Sequence, residues 1–372
     1  MKGFATPAAI TFALALLLSS ASLAQQNDAP KPGGAGRLQL VARFEHQVTG
    51  VTVAADGRIF VNFPRWTEDA PVSVAEITGD GQAKPYPNVE WNAWRNVKKN
   101  ELTPHDHFVC VQSVVADGRG SLWVVDAAAP ATARVVPGGP KLVRIDLKAN
   151  QVAQTIPFAD AVAPQGSYLN DVRFSPDGRR AYLTDSGAKG ALVVVDLQSG
   201  DARRVLDGHT STQPESGVVV STDGRELRRP DGRGVDFAAD SIALSPDGRH
   251  LYWKALTGRT LYRVATEALD DPRLSGRELE ARVERVGAME PTDGLWIDKS
   301  GRLYLSAIEE NAVKVRESGR DTTLVQDDRL RWPDTFAEGP DGTISRIQDM
   351  SWFKPENGPR LTTHLWRIEG KR

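Results

Sequence analysis

Six copies of one short repeat put polar side chains at matching places: Thr49, Gln112, Asn170 with Asp171, Asp240, Asp293 and Asp334 each stand where an apolar strand begins. Carboxylates and amides gathered this way can exchange protons with a bound molecule or pair with a ligand cation. A second set follows the second strand of each copy: Arg65, Trp66, Asp126, Asp185, Ser186, Glu309, Glu310, Asn311 and Trp352. An arginine there can grip an acid group in a fork, and a tryptophan beside it can stack on a ring. Loops carried on a rigid scaffold are the usual place for such groups. The two sets supply Asp240 and Asp293 as acid–base candidates and Arg65, Trp66, Gln112, Asn170, Asp171, Asp185 and Asn311 as ligand-binding candidates, suited to a small aromatic or carboxylated molecule.

His105-Asp106-His107 adds a group that titrates near neutral pH. His107, next to strand residue Phe108, is expected near the channel mouth and is the third catalytic candidate, whereas His105 and Asp106 read as solvated or capping. Cys110 reads as a packing residue and Trp91-Asn92-Ala93-Trp94 as a plug between repeats. There is no G-x-S-x-G elbow, P-loop, H-E-x-x-H or G-x-G-x-x-G, so serine hydrolysis and any nucleotide cofactor lose their usual support.

The repeat that positions these residues is an apolar strand, an Asp-Gly or Ser-Gly turn, and a second apolar strand, turning at Gly57, Gly118, Gly178, Gly248, Gly301 and Gly342. A third run follows each hairpin, and most copies add a more polar fourth run such as residues 151–156. One small sheet cannot bury both faces without neighbours, so the pattern predicts an all-β, six-bladed β-propeller with four-stranded blades. The last copy ends without a fourth strand, while residues 38–44 alternate Leu38, Leu40, Ala42 and Phe44 onto one face. Pairing these two segments would close the ring and leave no bare edge. The last copy also breaks early after Ile344, which predicts a short second strand there and a long loop over 350–359. The charged run 207–233 reads as a mobile excursion.

The chain has 372 residues, a formal charge of -2 and 25% charged residues, so nothing in it attracts nucleic acid or a membrane surface. Lys2, the apolar run 8–18 and the small residues before Gln25 read as a cleaved signal peptide, residues 1–24. Residues 25–37 are a flexible lead-in, and 38–369 are one propeller. The expectation is a periplasmic or secreted monomer, free of the membrane after cleavage, with a small-molecule ligand. Cys110 is the sole cysteine, so blade packing replaces disulfides.

Three segments resemble the major royal jelly and yellow proteins, whose bacterial members are described as related to L-dopachrome tautomerase: residues 57–66 with Lys84-Pro85-Tyr86-Pro87; residues 121–126 with 140–147; and residues 240–246 with Leu251-Tyr252-Trp253. The resemblance implies a six-bladed propeller and, joined to the chemistry above, a tautomerase acting on a dopachrome-like quinone. In that reading Asp240 or Asp293 is the base, His107 the donor, and Arg65 holds a substrate carboxylate. A carrier binding amines or phenolics without turnover is the reading from another class. A more distant resemblance, to the gluconolactonase and strictosidine synthase propellers, implies a divalent-metal-dependent lactonase. There Asn170, Asp240 and Asp293 would hold Ca²⁺ or another hard cation, with Thr49 in place of that family's first glutamate.

Overall fold

The computed structural model describes residues 36–66, 69–132, 134–229, 231–341, 344–348 and 363–369. They form an all-β propeller. Among them are six four-stranded antiparallel sheets. Named from the inner strand outward, the first runs Gly50–Val53, Ile59–Asn62, Val74–Ile77, Ala83–Pro85. The second runs Val111–Ala116, Ser121–Asp126, Lys141–Asp146, Gln151–Pro157, and the third Leu169–Phe174, Arg180–Asp185, Ala191–Asp196, Ala202–Val205. The fourth is Ala239–Leu244, His250–Ala255, Thr260–Ala265, Glu284–Ala288, and the fifth Thr292–Ile297, Leu303–Ala307, Ala312–Glu317, Arg320–Gln326. The sixth joins Pro333–Glu338, Ile344–Gln348 and Thr363–Glu369 to Arg37–Phe44, the first strand among the described residues.

Apolar side chains alternate onto both faces of these strands, and each face is buried against the next sheet. Trp123, Val125 and Leu142 of the second sheet pack with Leu169, Val172 and Leu183 of the third. Tyr182, Leu192 and Val194 pack in turn with Ile242, Leu251 and Trp253 of the fourth. The plug expected at 91–94 holds: Trp94 is buried with Val109 and Ala128, and Asn92 Oδ1 accepts the amides of Ser73 and Val74.

Five of the six inner strands share one irregularity; Gly50–Val53 pairs without it. Pairing with the second strand shifts at 111–113, 169–172, 239–242, 292–295 and 333–336. Such bulges turn side chains out of the ladder and free backbone groups. Hydroxyls of neighbouring sheets take those groups up. Thr184 Oγ1 donates to Asp240 O (2.7 Å), Ser241 Oγ to Thr292 O (2.7 Å), Thr335 Oγ1 to Thr49 O (2.7 Å) and Thr49 Oγ1 to Gln112 O (2.9 Å). Between the fifth and sixth sheets the backbones approach so closely that a Cβ on Gly294 would lie 2.0 Å from Asp334 O.

Two expectations need correction. The strand Ile344–Gln348 has five residues, as many as Leu303–Ala307, and pairs with Thr363–Glu369 at five positions. It is not shortened; a ladder is made by backbone groups, so the polar Ser345 and Arg346 do not end it. The loop expected at 350–359 lies outside the described residues. The run 207–233 is not a loose excursion, because it carries the hairpin Ser221–Thr222 and Arg225–Glu226 and buries Val220 and Leu227 against Leu256, Ile308 and Trp332. Two short helices, Thr266–Asp270 and Gly276–Glu280, precede the fourth sheet's outer strand. The sequence signal of the second is the capping box Ser275 to Glu278. No helix among the described residues is long and apolar enough to cross a membrane.

Candidate functional site

The bulges bring Gln112, Asn170, Asp240, Asp293 and Asp334 from five sheets to the wall of one cavity of about 330 Å³. Asp240 and Asp293 form a hydrogen-bonded carboxyl pair. Two carboxylates in contact repel unless a proton lies between them, so one of the pair is protonated. Burial raises Asp240 well above the usual carboxylate range, and the negative charges of Asp293 and Asp171 add to the effect. Burial lifts Asp293 to about 6, opposed by its hydrogen bonds from Asp240 and Trp332.

Each carboxyl also accepts a side-chain donor. Asn170 Nδ2 donates to Asp240 Oδ2 at 2.8 Å, and Trp332 Nε1 to Asp293 Oδ2 at 2.5 Å. The Asn170 amide is itself set by a chain of donors. Trp66 Nε1 donates to the Tyr168 hydroxyl, that hydroxyl to Gln112 Oε1 (3.0 Å), and Gln112 Nε2 to Asn170 Oδ1 (3.2 Å). Every link points the same way and ends on Asp240. Behind the pair, Lys254 is buried with its Nζ on the carbonyls of Ala255 and Gly258, both 2.9 Å away, and burial pushes it down to about 7.

Trp66, Tyr168, Phe237 and Trp332 give the cavity an aromatic lining, with the aliphatic Leu256 beside them. The segment after the third sheet caps it, contributing Arg229 and Asp236, which lie 3.3 Å apart. Arg229 is the one cationic side chain among the described lining residues.

The sequence profile of the major royal jelly proteins matches residues 109–334, well over half of the chain. The chain belongs to that family. Major royal jelly protein 7 of Apis mellifera is 24% identical over 253 residues, covering 64% of this chain and 52% of the bee protein. This family member therefore spans about half the length of the curated relative it matches. In fold it is similar to a gluconolactonase from Xanthomonas campestris, with a TM-score of 0.54, 13% identity and 90% of each chain covered. A luciferin-regenerating enzyme gives a TM-score of 0.54 at 9% identity, covering 90% of this chain and 95% of that one. At such identities the likeness is one of fold alone.

Within this royal jelly family member, Trp66, Gln112, Asn170, Asp240 and Asp293 meet at the cavity, and five other candidates do not line it. Arg65 is fully enclosed, donating to Ser73 Oγ and to the carbonyls of Phe108, Val109 and Trp94; burial lowers it to about 10. It ties loops together and cannot grip a ligand. His107 Nδ1 lies 2.8 Å from Thr103 O and from Asp106, in its own loop. Asp185 is spent on Ser167, the Tyr168 and Gly187 amides and Arg204. Asp171 faces Arg173 at 3.6 Å. Asn311 donates to Asp223 of the cap. Trp352 lies outside the described residues. Cys110 is buried, which pushes its thiol up to about 12 and leaves it a packing residue.

Tyr168, Arg229, Phe237 and Trp332 were missed. Tyr168 and Trp332 had a signal, since each stands two residues before a strand-opening polar residue, Asn170 or Asp334, where alternation returns it to the same side.

The lactonase resemblance implied a cation held by Asn170, Asp240 and Asp293. The three do converge, but as a proton-sharing pair and an amide whose oxygen already accepts from Gln112. Thr49, at the position of the missing glutamate, has its hydroxyl engaged by Gln112 O and Asn62 Nδ2. No group of three or more His, Cys, Asp or Glu able to hold a metal occurs among the described residues. This donor set does not fit a hard cation, which takes six to eight oxygens.

Proposed function

We propose that the cavity binds a small planar aromatic carboxylate and shifts a proton on it, as in tautomerisation of a dopachrome-like quinone. The observation that carries this reading is the proton-sharing Asp240–Asp293 pair opening into an aromatic-lined cavity. The substrate ring lies among Trp66, Phe237 and Trp332, and its carboxylate takes Arg229 in exchange for Asp236. Asp293, in its anionic form, removes the carbon-bound proton; the electrons of that C–H bond form the new double bond. Asp240 gives its proton to the quinone oxygen as the C=O becomes C–OH. Asp293 then holds a proton and Asp240 none, and the bond between them returns the proton to Asp240. Arg229 replaces Arg65, and Asp240 replaces His107, in the roles assigned from sequence.

The test is dopachrome decay followed by absorbance, with Asp240→Asn and Asp293→Asn. Either variant should lose the ~10² to 10⁴-fold supplied by a positioned acid or base. Saturable binding of dopachrome with the same background decay in all three proteins would instead make the protein a carrier. Because the fold is similar to a gluconolactonase, δ-lactones belong in the same assay as the hydrolase alternative.

The reading extends to the whole molecule. The six sheets act as one ring closed by the first strand, and the domain spans 38–369. Residues 1–24 are an export signal removed after Ala24, giving a periplasmic or secreted product. Mass spectrometry of the mature amino terminus decides this, and a retained Met1 would refute it.

A further inference from the structure

At the other end of the inner strands a second cleft, of about 630 Å³, opens between the second and third sheets. Arg119, Arg144 and Arg179 line it against one carboxylate, Asp117. That carboxylate is spent: Oδ1 accepts the amides of Arg119 (2.7 Å) and Ser121 (3.1 Å), and Oδ2 accepts Trp123 Nε1 (3.0 Å). Arg144 projects from Lys141–Asp146 with its guanidinium 6.0 Å from the Trp123 ring centre. Its Nε is buried without an acceptor, and Arg144 has no ion pair among the described residues. Asp146, two residues along the strand, has Oδ1 on the turn amides of Lys148 and Ala149 and feels the charge of Arg144 without a hydrogen bond to it. Arg119 reaches across the cleft to the carbonyls of Ser175 and Pro176. Arg179 is exposed, 3.9 Å from Asp177.

Arg58 shows what Arg144 lacks. It too lies over aromatic rings, those of Phe60 and Tyr86, but Glu76 of the adjacent strand takes Nε and Nη2 at 2.8 Å each. A guanidinium is a rigid fork matched to two oxygens of one carboxylate or phosphate. Arg144, held beside Trp123, has no protein oxyanion hydrogen-bonded to it among the described residues; Asp146 acts on it only through space.

We propose that this cleft is a binding site for a small oxyanion carrying two or more negative charges, with Arg144 gripping it at the floor and Arg119 and Arg179 closing over it. The site is separate from the carboxyl pair, so it stands whatever the cavity binds. The test is calorimetry and thermal unfolding of the full chain with phosphate and with citrate, each against sodium chloride at equal ionic strength, which removes general screening. A saturable rise in Tm with citrate or phosphate is expected, since a ligand of the native state stabilises by mass action. The stronger of the two tells a carboxylate metabolite from a phosphate ester. Arg144→Gln should weaken the affinity at least tenfold with the ligand-free Tm unchanged; if it lowers that Tm, the exposed Arg119→Gln is the variant to read. Shifts no larger than those of chloride, or equal affinity in wild type and variant, overturn the proposal.

Discussion

At the scale of single residues the site is a matter of where one proton lies. Asp293 must be charged to act as a base, so turnover should rise as pH passes through about 6 and fall at higher pH as Asp240 loses its raised proton. The same shifts set stability. A carboxyl raised in the folded state stabilises fully below its ordinary pKa of about 4, and that contribution is lost as pH climbs through the folded value. Wild-type Tm should therefore decline as pH climbs from 4 through about 6, and Asp293→Asn should flatten the decline; an unchanged slope would contradict the pair. Tyr168→Phe removes the hydroxyl that joins Trp66 to Gln112. It should cost about 1–3 kcal/mol for the buried partners left unpaired and move the pH profile by letting the Asn170 amide turn, which a purely structural role would not do. Asn170, Asp240 and Asp293 were legible because a repeat fixes where a strand begins. Arg65 and His107 were misread because sequence places a loop at the channel face without saying whether a side chain turns outward or into the carbonyls behind it.

At the scale of elements the cap over the cavity separates what composition says from what packing does. The run 207–233 is charged and reads as solvated, yet its few apolar residues are enough to dock it. Leu227 is buried beside Leu256, Ile308 and Trp332, and Glu309 accepts the amide and hydroxyl of Ser221 while pairing with Arg259 at 2.9 Å. Leu227→Ala should cost about 2–5 kcal/mol, felt mainly as opening of the cap. Hydrogen exchange would then quicken across 218–237 and leave the inner strands protected. KM should rise more than kcat falls, because in the proposed reaction Arg229 and Phe237 would hold the ligand and not move its proton. Faster exchange throughout the domain would show instead that the cap is part of the common core. The strands themselves were legible from alternation and turn glycines. The bulges that aim the site were not, since they are fixed by hydroxyls of the adjacent sheet, such as Thr184 and Ser241, meeting the freed backbone groups of Asp240 and Thr292.

At the scale of the whole molecule, stability rests on each sheet having a neighbour on both faces, and the chain's first strand decides whether the sixth has its full width. Arg37–Phe44 pairs with Thr363–Glu369 from Arg37 opposite Glu369 to Phe44 opposite Thr363. It buries Ala42 and Phe44 with Val48, Val51, Phe63 and Leu365, so one strand serves both the sixth sheet and the first. Thr363 Oγ1 adds a bond to His46 O at 2.8 Å. Removing residues 38–44 would strip the pairing from Thr363–Glu369 and uncover the cluster between the sixth and first sheets. Loss of Phe44 alone costs about 3–5 kcal/mol, and at about 2–4 °C per kcal/mol the fall in Tm should be on the order of 10 °C. If the strand closes a ring, the truncated protein should also unfold in one transition, because strain relieved at one seam loosens every interface between sheets. A truncation that keeps its Tm, or that melts the sixth sheet in a separate early step, would make the strand an ornament on a self-sufficient stack of sheets.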